Sequence, residues 1–212
     1  MEETLDQGFV RQEETKNFSY PLEFEFKIGT LANDFVARDS SGTIIAYVRQ
    51  KMFKLKEAIQ VFSDESRNTV LYTINADRVI DFNANYAFTD PSGELVGRVG
   101  RRGARSILNA HYEVFSESGS LEFNIREENP WAKFFDSLLG ELPLVGLFSG
   151  YFLNPRYIVK RTDGTEVARL SKEASFWGRR FTLEKLGELS KEQGERLVLS
   201  LMIMSLLERR RG

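Results

Sequence analysis

The sequence predicts a mainly β protein, a closed antiparallel barrel of about twelve strands wound around one hydrophobic C-terminal α-helix. Three observations lead there: a C-terminal run that is apolar on every face, a strand-turn-strand unit that recurs along the chain, and a strand count large enough to enclose a helix.

The run is Leu197-Val198-Leu199-Ser200-Leu201-Met202-Ile203-Met204-Ser205-Leu206-Leu207, in which only the two serines are not large and apolar. At about 100° per residue such side chains cover the whole circumference, the pattern of a helix surrounded by protein. Ser200 and Ser205 can each return a hydrogen bond to a carbonyl of the preceding turn. Upstream, Ser190-Lys191-Glu192-Gln193 reads as a capping box. Glu192 and Glu195 then sit near the positive end of the helix dipole, and Arg209, Arg210 and Arg211 near the negative end. Together these signals predict a helix over 191–209. As a membrane span its apolar part is too short, roughly 16 Å against a hydrocarbon core of about 30 Å. It also has no polar face with which to lie on a membrane surface.

Residues 1–20 are polar and charge-mixed and read as a mobile or loosely docked arm. From Leu22 the period becomes two: Leu22-Glu23-Phe24-Glu25-Phe26-Lys27-Ile28 is a half-buried strand. Four units then repeat an alternating run, a tight polar turn with glycine, and a second run. They span 35–48, 86–99, 112–125 and 157–170, with turn glycines Gly42, Gly93, Gly119 and Gly164. The glycine supplies the positive φ that closes a short hairpin loop, and Asp or Ser ahead of it bonds the turn backbone. A fifth hairpin is expected around Ala58–Ser63 and Thr69–Ile74, and a last strand around Phe176–Leu183.

Closing about twelve strands, spaced about 4.8 Å and tilted about 40°, gives a backbone diameter of about 24 Å. Side chains of about 5 Å on each wall leave a bore of about 14 Å, whereas eight strands would leave about 6 Å. A helix needs about 10–12 Å. The barrel must therefore be plugged, and the chain ends in a plug of the right girth. Residues 21–212 form one domain on this reading. Within it, 130–150 breaks the pattern: Trp131, Phe134, Phe135, Leu138 and Leu139 fall at helical spacing after Pro130. This insert reads as a crossover helix on the outside of the barrel, or as an apolar patch that Trp131, Phe134 and Phe135 offer to a membrane or a protein partner.

Composition narrows the chemistry. A formal charge of −2 argues against a nucleic-acid binder. The chain has no cysteine, which removes disulfides, iron–sulfur clusters, thiol catalysis and cysteine-ligated zinc. Met1-Glu2-Glu3-Thr4-Leu5-Asp6 has no basic stretch followed by an apolar run, so a cytoplasmic protein, with peripheral attachment to a membrane as a variant, is expected. No Gly-x-Gly-x-x-Gly, Gly-x-Ser-x-Gly or Walker lysine loop occurs, and no cofactor is expected. Asp34, Asp39, Asp64, Asp77, Asp81 and Asp90 invite calcium, but no EF-hand loop is present and turn carboxylates usually cap backbone amides, so no metal site is assigned. His111, the single histidine, reads as a strand residue, with a lone acid/base role as the alternative.

Two basic groups are the candidate anion or lipid-headgroup sites. Arg98, Arg101, Arg102 and Arg105 follow a strand, with Gly100 and Gly103 leaving the backbone open to close approach. Arg179, Arg180 and Lys185 form the second group. Guanidinium forks grip phosphate oxygens in such settings; the alternative is solvated loops balanced by neighbouring carboxylates.

The paired strands with Asp/Ser-x-x-Gly turns, then Asn154-Pro155-Arg156-Tyr157, Gly178-Arg179-Arg180-Phe181 and a terminal apolar helix, resemble the tubby C-terminal-like superfamily. Within it the chain looks most like the LURP-one-related and phospholipid-scramblase-like branch, over about residues 22–210. The resemblance implies a twelve-stranded barrel around a central C-terminal helix. It also implies phosphoinositide binding through basic residues, as in tubby proteins, or scramblase-like lipid movement. Scramblases carry a proline-rich N-terminal region and cysteines for palmitoylation; this chain has five prolines and no cysteine. The function expected is a non-catalytic domain that binds an anionic phospholipid headgroup or a protein partner on the barrel surface. The alternatives are scramblase-like lipid translocation and an enzyme with an unrecognised carboxylate or histidine site.

Overall fold

A computed structural model describes residues 18–27, 32–51, 58–76, 85–102, 111–128, 156–173 and 179–209. Its strands are β1 (Leu22–Lys27), β2 (Ala32–Arg38), β3 (Ile44–Lys51), β4 (Ile59–Phe62), β5 (Val70–Ala76), β6 (Asn85–Thr89), β7 (Leu95–Arg102), β8 (His111–Ser116), β9 (Leu121–Glu128), β10 (Arg156–Arg161), β11 (Glu166–Lys172) and β12 (Arg179–Lys185). One helix, α1 (Lys191–Arg209), follows. Every strand pairs antiparallel with its neighbours in sequence, and β1 pairs β12 through Leu22↔Leu183 and Phe24↔Phe181, so the sheet closes on itself. The twelve-stranded barrel and the helix limits agree with the sequence reading. The last strand runs Arg179–Lys185, past the expected end at Leu183 because its register against β11 extends to Lys185; residues 176–178 of the expected strand lie outside the described residues. The insert at 130–150, with Trp131, Phe134 and Phe135, lies outside the described residues.

Four hairpins share one geometry. In the first, Gly42 N donates to Asp39 O and Asp39 N donates to Thr43 O; the same pair of bonds recurs at Asp90, Ser116 and Arg161. Gly42, Gly93, Gly119 and Gly164 have φ of 83°, 88°, 85° and 89°, the left-handed region that closes a type I turn into a bulge. A second irregularity follows each turn. Ala37 pairs Ala46 while Arg38 pairs Ile44, which leaves Ile45 without a partner; Val96, Glu122 and Val167 are left out in the same way. Such a bulge breaks the alternation of faces and turns its residue toward the bore. Ile45 and Val167 accordingly join the core, and Val96 packs against it.

These turns, and the start of α1, lie at one end of the barrel, since each strand reverses direction. From there α1 enters the bore. Leu197, Leu199, Leu201, Met202, Ile203 and Met204 are all buried, so helix positions pointing in every direction meet barrel wall. The wall answers with Phe24, Phe35, Phe88, Val99, Phe123 and Leu170, also buried. Ser200 Oγ donates to Arg196 O at 2.7 Å, as the sequence predicts. Ser205 differs: its buried hydroxyl has no partner among the described residues.

The helix start is held from several sides. Gln193 N donates to Ser190 Oγ, and Gln193 Oε1 accepts from Ser190 N, each at 3.3 Å, which is the capping box. Arg161 donates to Gln193 Oε1 and to the carbonyl of Glu188. Phe18 and Tyr20 pack against the core, and Ser40 N donates to Ser19 O, so the end of the polar N-terminal segment is docked at this mouth. Residues 1–17 lie outside the described residues.

Candidate functional site

A bore filled on every side by α1 leaves the outer wall and the ends for recognition. Alternation along a strand decides which side chains reach that wall. On β7, Gly97, Val99 and Arg101 face inward, and Arg98 faces out between its register partners Ala87 and Phe115. Arg98 is exposed whereas Arg101 is 8% exposed. The basic run expected after a strand is therefore the end of β7 itself, because the ladder to β8 continues through Arg101↔Tyr112 and Arg102↔His111. Three positions apart in a strand, Arg98 and Arg101 point to opposite faces and do not form one pocket. The side chain of Arg102, and all of Arg105, fall outside the described residues.

The second predicted group is also divided. Arg180 Nη2 lies 3.6 Å from Glu25 Oε1 on the outer wall, and Lys185 Nζ lies 3.1 Å from Glu188 Oε2 at the helix-entry end. Lys185 lies five positions further along the strand, about 16 Å away. The side chain of Arg179 is not among those described.

The turn carboxylates are occupied by their own backbone. Asp39 Oδ1 accepts from Ser41 N at 2.9 Å and Thr43 N at 3.0 Å; Asp90 Oδ1 accepts from Glu94 N at 2.9 Å. The hydroxyl of Ser41 holds the Asp39 carboxyl below its ordinary value, and that of Ser92 does the same for Asp90. Asp34 lies 3.9 Å from Arg49, and Asp64 caps Ser66 N at 2.8 Å. Asp77 and Asp81 lie outside the described residues. His111 is on β8, its Nε2 3.1 Å from Asn124 Oδ1, an amide that does not act as an acid or a base near neutral pH.

Two arginines that the sequence reading did not single out are better placed. Arg126 on β9 is the register partner of Ile158 on β10, so Arg156, two residues before Ile158, is its diagonal neighbour on the same outer face. Diagonal neighbours lie about 7–8 Å apart, within joint reach for long side chains. Both are exposed, and neither has a hydrogen bond or ion pair among the described residues. Glu128 stands opposite Arg156 in register and forms no ion pair with it. The signal was present in the sequence: Arg126 continues the alternation after Ile125, and Arg156 sits in Asn154-Pro155-Arg156-Tyr157.

Barrel, central helix and wall geometry meet a comparison with known families. The family model described as LURP-one-related matches residues 44–185, more than half of the chain. The chain belongs to the LURP-one-related family. That family lies within the tubby-like superfamily. The match runs from the start of β3 to the end of β12, so in this LURP-one-related protein β1, β2 and α1, which close and fill the barrel, flank the matched segment. No curated protein and no solved structure matches the chain significantly. Among the described residues, no helix is long and apolar enough to cross a membrane.

Proposed function

We propose that this LURP-one-related protein is a non-catalytic binding domain whose outer wall engages anionic phospholipid headgroups, with Arg126 and Arg156 as the primary contacts. The observation that carries the reading is the diagonal Arg126–Arg156 pair, two exposed guanidinium groups on adjacent strands with no described partner. Two forks at that spacing can share one phosphate or grip neighbouring oxygens of a polyphosphate, and Arg does so bidentately. A rigid barrel wall fixes the two backbone positions, so binding has only the two side chains to order. Among the described residues His111 meets an amide and no carboxylate, and this together with the backbone bonding of the turn aspartates favours binding over catalysis.

Co-sedimentation with phosphatidylcholine vesicles, with and without phosphatidylserine or a phosphatidylinositol phosphate, tests it. Binding is expected only to the anionic vesicles, weakening with salt. It is expected to fall at least about tenfold in Arg126→Gln/Arg156→Gln. Equal binding of the double variant removes the assignment. A scramblase-like role asks more: α1 would have to leave a bore in which it is buried on every side and clamped by Arg196, so the wall-binding reading is preferred.

A further inference from the structure

Away from the Arg126–Arg156 pair, the outer face of β6, β7 and β8 carries a half-open depression of about 440 Å³, lined by Asn85, Ala87, Arg98, Phe115 and Gly119. Its shape follows from side-chain size. Ala87 and Gly100 are small residues set among larger ones. At Gly100 a Cβ would lie 2.5 Å from Asn85 Oδ1, the end of an exposed side chain that leans over the glycine. Arg98 stands in direct register between Ala87 and Phe115, so one cation sits beside one aliphatic and one aromatic wall. Arg98 is exposed and has no hydrogen bond or ion pair among the described residues. Phe115 is half-buried and lines the depression.

We infer that this depression is a binding site for a small organic anion with a flat apolar body, such as an aromatic carboxylate. The carboxylate takes two N–H donors of the Arg98 guanidinium, and the body lies against Phe115 and Ala87. The volume is within the range of small-molecule sites, roughly 300–1,000 Å³, and a few polar groups on an apolar lining are their usual make-up. A charge-assisted, bidentate bond supplies orientation, and ring contact supplies the rest. Inorganic phosphate alone has nothing for the apolar wall to hold, which is why the site selects an organic acid over a bare ion.

The test uses the full chain and 2-naphthoate as probe, with neutral 2-naphthamide as a control of the same shape. Backbone amide shifts in the protein NMR spectrum locate the binding. At millimolar 2-naphthoate, shifts are expected at Asn85, Ala87, Arg98, Phe115 and Gly119, and the amide is expected to bind at least about tenfold more weakly. Arg98→Gln should lose the preference for the acid. Ala87→Leu, which fills the floor and leaves Arg98 in place, should lose both ligands. Arg126→Gln/Arg156→Gln should bind 2-naphthoate as the unaltered protein does, which separates this site from the headgroup reading. Absence of shifts at these residues, equal affinity for the amide, or unchanged affinity in Arg98→Gln overturns the assignment.

Discussion

Arg196 of the central helix donates two parallel hydrogen bonds to Glu122 of β9, Nε to Oε2 and Nη2 to Oε1, each 2.7 Å long. Its third nitrogen, Nη1, donates to Glu117 Oε2 at 2.9 Å and to the carbonyl of Val96 at 3.3 Å. The guanidinium side chain is 7% exposed and the Glu122 side chain 15%. Helix and wall are thus joined by a buried fork at the mouth through which α1 enters. Arg196→Ala strands the Glu122 carboxylate beside the core and is expected to cost about 3–5 kcal/mol in urea unfolding, whereas Glu122→Ala should cost less, because Arg196 keeps Glu117 Oε2 and the Val96 carbonyl. Glu122→Leu with Arg196→Met should recover most of that loss, because Ile45, Val96 and Val167 fill the equivalent bulges with apolar side chains. A double variant no more stable than the singles would show that the charges themselves are required.

Gly97 is the clearance for this arginine. A Cβ there would lie 2.5 Å from Arg196 Cδ and 2.8 Å from the carbonyl of Phe115. Gly97→Ala is expected to destabilise by about 1–3 kcal/mol, the range of overpacking in a closed interior. Shortening Arg196 relieves only the first contact, since the second is with backbone. A Gly97→Ala protein of unaltered stability would mean that the helix can shift without loss.

The fold was legible because its signals are local and repeated. An apolar run on every helix face, four glycine turns and strict alternation each have one cheap structural reading, and all agreed. The fork was not legible, for a reason that Glu122 makes plain. In Leu121-Glu122-Phe123 the period of two places Glu122 outside, and only the bulge opposite Phe115 turns it inward. The candidate basic groups suffered from the same cause in reverse: proximity in sequence joined Arg98 to Arg101, but an odd spacing in a strand sends them to opposite faces. Arg126 and Arg156 are thirty residues apart and become neighbours only through the β9–β10 register, which no local pattern specifies.

The hairpin turns make stability sensitive to acid. Asp39, Asp90 and Asp163 all have carboxyl groups held below the ordinary value of 3.8, by the Ser41 hydroxyl, the Ser92 hydroxyl and the Thr165 backbone N–H respectively. A depressed native value favours folding above the ordinary value, and that contribution is lost as pH falls through the native one. Unfolding midpoints should therefore decline as pH drops below about 4. Replacing the three aspartates by asparagine, which keeps an acceptor oxygen but does not titrate, should flatten the decline. An unchanged slope would assign acid sensitivity to other carboxylates.

Alkaline pH tests a different group. Burial pushes the Tyr20 phenol up to about 12 from 10.0, and its hydroxyl has no partner among the described residues. The unfolded chain ionises first, so the contribution of Tyr20 to folding is complete below pH 10 and is lost as pH rises toward 12. Tyr20→Phe removes both the titration and the unsatisfied oxygen. It should leave stability at neutral pH unchanged or raised by about 1–2 kcal/mol, and weaken the fall above pH 10. Ser205→Ala, which deletes the other buried hydroxyl without a described partner, should match the gain at neutral pH but leave the alkaline fall intact. Tyr72 provides the contrast. Its phenol is raised by burial first and then by the charge of Glu195 beside it, so Tyr72→Phe takes away a donor that faces a carboxylate and should destabilise. If Tyr20→Phe instead costs stability as Tyr72→Phe does, the Tyr20 hydroxyl has a partner in solution and the mouth beside α1 is wetter than this packing implies.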